Sequence, residues 1–217
     1  MNRRNPLLGL LIFSFHSASV SLALVLLLSL IKGIVAIGLL EHFFIMSSFH
    51  YLAAGAAPYV MLMKSEGTAK WEQYQLAMPV KRKNLATILY LNVLAASLLV
   101  IPIIGVVWGV GFLFNQAAMH EIIQTGLINI TFSLSFILLM TALLYPLAST
   151  KLGQFSEQGL FFIGMVFSGA ILGALAGIGN ALGYSWGVIS LFVIIISVIA
   201  FIVSLCITRK QYAKIDF

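Results

Sequence analysis

The chain is a succession of long apolar runs separated by short polar stretches. A helix needs about 20 apolar residues to cross a hydrocarbon core about 30 Å thick. Five runs of that length stand out, at residues 43–63, 85–112, 122–147, 160–180 and 185–207. Stretches such as SLSFILLMTALLY (133–145) show no alternation of polar and apolar positions. A membrane barrel would show segments of about 10 residues that do alternate, and only helices or closed barrels satisfy backbone polar groups in lipid. The pattern predicts an all-α integral membrane protein.

The apolar stretch ahead of these runs, residues 6–40, would be about 50 Å long as one helix, more than a single crossing requires. Two arrangements fit. In one, residues 8–31 span the membrane and Lys32 ends the span. In the other, residues 6–17 form an interfacial elbow helix and residues 18–39 span. The segment 14–21 holds four serines and His16, which suits an interface, and the elbow is favoured. Lys32 then snorkels toward the outer face. The opening MNRRNPLLGLLIF resembles a signal peptide, but no small-residue cleavage site leads into a soluble sequence, and it reads as a retained anchor. The expected organisation is one transmembrane domain, residues 1–217, with six spans and cytoplasmic loops at 64–84 and 148–159.

Composition sharpens this reading. Of 217 residues, 61% are hydrophobic and 8% charged, against about 45–50% and about 25% in soluble domains. Mean hydropathy is +1.09. Lipid is the solvent for most of such a chain, and no stretch remains for a separate soluble catalytic domain. Cys206 is the sole cysteine, which excludes an internal disulfide and a multi-cysteine metal site.

Charge then sets orientation. The formal net charge of +6 does not point to nucleic acid, because the basic residues lie in short links between apolar runs. Arg3, Arg4, Lys64, Lys70, Lys81, Arg82, Lys83, Lys151, Arg209, Lys210 and Lys214 fall on one side of a six-span topology, with only Lys32 on the other. Cytoplasmic segments carry the excess of Lys and Arg. Both termini are therefore expected in the cytoplasm.

The longest cytoplasmic link, residues 64–84, mixes Glu66, Lys70, Glu72, Lys81, Arg82 and Lys83 with Trp71, Tyr74, Leu76 and Met78. Residues 69–78 are expected to form a short helix between an N-cap at Thr68 and a stop at Pro79. Trp71, Tyr74 and Met78 then share one face. Such a helix is either an interfacial anchor or a docking element for a cytoplasmic partner.

The run Trp71-Glu72-Gln73-Tyr74-Gln75-Leu76-Ala77-Met78-Pro79-Val80-Lys81-Arg82-Lys83 resembles the first cytoplasmic loop of ABC-2 type permeases, small bacterial exporter subunits. Trp71, Tyr74, Leu76, Pro79, Val80, Arg82 and Lys83 match that loop. Ala77, Met78 and Lys81 depart from its usual Ser, Leu and Ser. The link Lys151-Leu152-Gly153-Gln154-Phe155-Ser156-Glu157-Gln158-Gly159 resembles the family's short Gly-containing second loop. The end, Tyr212-Ala213-Lys214-Ile215-Asp216-Phe217, is similar to its common terminus. Within the group the likeness is to permeases of staphylococcal phenol-soluble modulin exporters. The resemblance implies a permease that pairs with a separate ABC ATPase, which holds the ATP and Mg, and that works as a homodimer or with a second permease. It further implies a coupling helix at Trp71, Glu72, Tyr74, Leu76, Pro79, Arg82 and Lys83. Lys151, Gly153, Phe155 and Glu157 are candidates for a second contact. Export of an amphipathic, cytolytic or antimicrobial peptide is the implied activity.

The residues themselves contain no nucleotide-cradling G-x-x-x-x-G-K-[ST], and neither H-E-x-x-H nor G-x-S-x-G. None of the six acidic residues falls near the middle of a predicted span, where ion-coupled carriers place one. No cofactor is expected on this chain. His50, Asn92 and Asn129 lie inside predicted spans, as interhelical hydrogen-bond partners or as parts of a substrate pathway. Gly105 and Gly109, and the tandem Gly169, Gly173 and Gly177, permit close helix approach, within the chain or against a second permease. Pro102 is expected to bend the third span. No large outer loop is present to capture an external ligand; 115–121 is the longest. A self-sufficient small carrier or channel, or a membrane scaffold or immunity protein, is the alternative.

Overall fold

The computed structural model describes Leu27 and residues 82–98, 119–148 and 157–214. All of these are α-helical except the connection 182–185. Four helices result: α1 (Arg82–Leu98), α2 (Met119–Ala148), α3 (Glu157–Ala181) and α4 (Trp186–Lys214). The last three have 30, 25 and 29 residues, which at 1.5 Å per residue exceeds a hydrocarbon core of about 30 Å. Each holds an apolar stretch long enough to cross: Gly126–Leu147, Phe162–Ala181 and Trp186–Lys214. Residues 1–81, 99–118, 149–156 and 215–217 lie outside the described residues apart from Leu27, and with them the expected elbow and first two spans, Pro102 and most of the two expected cytoplasmic loops.

Between α3 and α4 the chain reverses in four residues. Gly183 adopts φ +78°, a left-handed backbone that costs glycine nothing and other residues a clash at Cβ. The Tyr184 N–H reaches back to the Gly179 carbonyl at 3.1 Å, and the Gly183 N–H to that of Asn180 at 3.0 Å. These two bonds make a Schellman motif, which satisfies carbonyls that the helix end would otherwise leave bare. Ser185 follows at the N-cap position of α4, its carbonyl accepting the Ile189 N–H at 3.0 Å.

The core lies where α1, α2 and α4 meet. Leu89, Tyr90 and Val93 of α1 pack with Phe136, Ile137, Met140 and Leu144 of α2 and with Ile189 and Val193 of α4. α4 takes most of its contacts from α2 and α1, and α3 leans mainly on α2. Two glycines set how close α3 comes. A methyl group on Gly164 would sit 2.7 Å from the Leu144 side chain, and one on Gly179 would sit 2.7 Å from Ile189. The outward side of α3 and α4 is lined by Phe162, Phe167, Leu191, Phe192, Ile199 and Ile202, all exposed, as a surface solvated by lipid tails requires.

α4 runs seven residues past the expected span, to Lys214. Nothing in TRKQYAK breaks a helix, and Lys, Arg, Gln and Ala propagate one well. Its basic last turn also meets the negative end of the helix dipole.

Candidate functional site

Hydroxyl groups inside a bilayer need a partner, and most of those described here find one in their own helix. Ser135, Thr141 and Ser197 each donate to the carbonyl four residues back, at 2.7 Å. Ser204 does otherwise. Its Oγ donates across to the carbonyl of Ala142 on α2, at 2.7 Å.

The reason lies in α2 itself. Four residues after Ala142 comes Pro146, inside the helix. Proline has no N–H, so the Ala142 carbonyl lacks its usual intrahelical donor. Ser204 supplies one from α4.

The same Ser204 Oγ lies 2.6 Å from the Tyr90 hydroxyl of α1, which also lies 2.9 Å from Thr208 Oγ1. A serine hydroxyl has one proton, and here Ala142 accepts it. Tyr90 must then donate to Ser204, and Thr208 to Tyr90. The chain of bonds runs Thr208, Tyr90, Ser204, Ala142 carbonyl. Three helices are thus tied at one point. The Tyr90 ring is held between Tyr145 and Phe201, with both centroids 5.0 Å away, distances typical of favourable aromatic pairs. Tyr90, Ser204 and Thr208 are all buried. Among the described residues these contacts join hydroxyl and carbonyl groups of α1, α2 and α4.

The cluster also fixes which helix ends lie together. Tyr90 is eight residues from the start of α1, about 12 Å along the axis. Thr208 is six residues from the end of α4, about 9 Å, as is Ala142 from the end of α2. Arg82 and Lys83 therefore stand at the same end of the bundle as Arg209, Lys210 and Lys214. These five are all the Lys and Arg residues among those described. The opposite end, at the α3–α4 turn, carries none.

Of the residues singled out from sequence, Arg82 and Lys83 form the first turn of α1, Glu157 the first residue of α3, and Asn129 lies within α2. Trp71, Glu72, Tyr74, Leu76, Pro79, Lys151, Gly153, Phe155, Gly105, Gly109 and His50 lie outside the described residues. Asn92 is 1% exposed, and neither atom of its amide finds a hydrogen-bond partner among the described residues. Ser133 and Ser168 are likewise buried and unpaired. Gly169, Gly173 and Gly177 lie on an exposed side of α3, where an added methyl would meet nothing within 4 Å. The close approaches belong to Gly164 and Gly179 instead, which the spacing of the tandem motif did not mark. Tyr90, Ser204 and Thr208 were missed as well. Pro146 was the signal, since its missing N–H demands a donor for Ala142.

Among the described residues no three His, Cys, Asp or Glu side chains gather to hold a metal. An apolar groove of about 220 Å³ opens between α3 and α4 near Leu182, Tyr184 and Phe192, at the end away from the hydroxyl cluster.

Apolar helices of membrane length, tied together at a basic end, define a helical membrane protein. The particular family follows from the sequence as a whole: a family model described as ABC-2 family transporter protein matches residues 9–213, and the chain belongs to that family. No curated protein and no solved structure matches it.

Proposed function

We propose that the chain is the membrane-spanning permease subunit of an ABC exporter in the bacterial cytoplasmic membrane. The observation that carries this reading is the family match over residues 9–213. In it, ATP and Mg are held by a separate ATPase subunit, and this chain supplies the path. Six spans cross the membrane, and both termini face the cytoplasm. The grouping of Arg82, Lys83, Arg209, Lys210 and Lys214 at one end supports that orientation, because the cytoplasmic face gathers Lys and Arg.

The coupling segment is the loop ahead of α1. Trp71, Tyr74 and Leu76 offer an apolar face to the ATPase, with Glu72, Arg82 and Lys83 as charged contacts and Pro79 fixing the exit into α1. Lys151, Gly153, Phe155 and Glu157, between α2 and α3, form the second contact. The permease works as a pair, with its own copy or a second permease. The substrate class is an amphipathic peptide, on the likeness to modulin exporters and on the apolar character of the spans.

Co-expression with an ABC ATPase from the same operon, followed by affinity purification of this chain, tests the reading. The ATPase is expected to co-purify and to be lost on combining Trp71→Ala with Tyr74→Ala. Retention of the ATPase by the double variant would remove the coupling segment from the account. Absence of any ATPase from the wild-type preparation would favour a self-sufficient channel or a scaffold.

A further inference from the structure

The hydroxyl cluster joins the helices that lead directly to the two cytoplasmic segments. α1 begins at Arg82, in the coupling segment itself, and reaches Tyr90 two turns later without a break. α2 ends at Ala148, where the second loop begins. Its last turn lacks one internal hydrogen bond because of Pro146, and a helix is easiest to bend at such a place. The bond that replaces it comes from Ser204 on α4. A displacement of α1 along or about its axis therefore pulls first on the Tyr90–Ser204 bond, and through Ser204 on the joint of α2.

Resting on the permease reading above, we infer that Tyr90 and Ser204 are positioning residues that relay movement of the coupling segment into α4 and into the Pro146 joint of α2. Neither touches nucleotide or cargo. Their task is to keep α1, α4 and the last turn of α2 moving as one body when the ATPase shifts the segment 71–83. Packing holds α1 against its neighbours, and the hydrogen bonds of Tyr90 add a fixed register to it.

Cys206 provides the probe. It is exposed and lies on α4 between Ser204 and Thr208, and it is the sole cysteine of this chain, which is labelled before the ATPase is added. The experiment places an environment-sensitive fluorophore on Cys206 in the full permease–ATPase complex in lipid nanodiscs. The emission change is then read between the nucleotide-free and the ATP–vanadate-trapped states. In the wild-type complex the label responds. Tyr90→Phe keeps the ring and removes the hydroxyl, and it is expected to reduce that response about fivefold, the scale of a modest coupling free energy, with the yield of complex unchanged. Ser204→Ala combined with Pro146→Ala restores an N–H to the Ala142 carbonyl but not the acceptor for Tyr90. It is expected to show the same loss, which keeps the test open if Tyr90→Phe folds poorly. Ser204→Thr, which retains the hydroxyl, should recover most of the response.

A full wild-type response in Tyr90→Phe would overturn the relay, as would a label that stays silent while the bound ATPase turns over. Failure of the ATPase to bind wild-type chain is a separate result, visible before any nucleotide is added, and it would remove the permease reading itself.

Discussion

α2 and α3 are almost equally apolar, with hydropathies of 2.2 and 2.0 over their membrane-length stretches, yet 53% of the α2 stretch is buried and 17% of that in α3. In water, such equal apolarity would drive both into a core. In lipid it drives neither, because hydrocarbon tails solvate a leucine as well as another leucine does. What distinguishes α2 is polar and local. It carries Ser135 and Thr141 on buried positions and, at Ala142, a carbonyl without its intrahelical donor, to which Ser204 of α4 donates while accepting from Tyr90 of α1. α3 offers seats for Leu144 at Gly164 and for Ile189 at Gly179. Burial in this bundle follows hydrogen bonding and shape rather than hydrophobicity.

The contrast is sharpest within α3, where Gly164 and Gly179 are packed and Gly169, Gly173 and Gly177 are open. Gly164→Ile forces a branched side chain against Leu144 and is expected to cost about 3 kcal/mol, the upper end for overpacking. Gly173→Ile, on the open side, is expected to stay within about 0.5 kcal/mol. Unfolding of the two variants in mixed micelles measures both. Equal costs would mean that α3 does not meet α2 through Gly164. A change in assembly without a change in unfolding, for Gly173→Ile alone, would mark the open side as a contact with another chain.

Next in size is the tie at Ala142. Ser204→Ala removes a donor and an acceptor at once and is expected to cost about 2 kcal/mol. Adding Pro146→Ala gives the Ala142 carbonyl an intrahelical N–H and should return about 1 kcal/mol of that. In the Ser204-intact chain, Pro146→Ala should bring no comparable gain. A double-mutant cycle on positions 146 and 204 therefore measures the coupling, and a coupling of zero would show that the two sites are independent.

A smaller loss, about 1 kcal/mol, is expected for Tyr90→Phe, which keeps both ring contacts and forfeits the hydrogen bonds. Asn92 brings the smallest change and the opposite sign. Its buried amide makes no bond among the described residues, so Asn92→Leu is expected to leave unfolding unchanged or to stabilise by up to about 1 kcal/mol. A marked destabilisation would show that the amide has a partner. Loss of transport with stability retained would place Asn92 on the substrate path.

Much of the helical frame was legible in the sequence. The runs 122–147, 160–180 and 185–207 lie within or almost within α2, α3 and α4, because a bilayer leaves an apolar run of that length little choice but to be a helix. The Gly183 turn was legible in kind, as a glycine between two such runs. The cluster was not. A serine in a membrane helix usually donates to the carbonyl four residues back in its own helix, as Ser197 does to Val193, and nothing local distinguishes Ser204 from it. Buried Ser190, Ser197 and Ser204 recur every seven residues on α4, which marks a face but not a partner. The partner became readable only from Pro146, three helices' geometry away in sequence terms. The spacing of Gly169, Gly173 and Gly177 did not say which neighbour they would meet, another helix of the chain or a second permease. α3 turns them outward, and Gly164 and Gly179 are the ones set against α2 and α4.

Under the proposed function, the basic end of the bundle is worked by an energy source outside this chain. Reconstitution into liposomes, with flux of a fluorescent amphipathic peptide followed with and without ATP, addresses that dependence most directly. The chain alone is expected to give no ATP-dependent flux, and the chain with its ATPase is expected to give flux that vanadate abolishes. Peptide movement through the chain alone, unaffected by ATP or by the ATPase, would contradict the account.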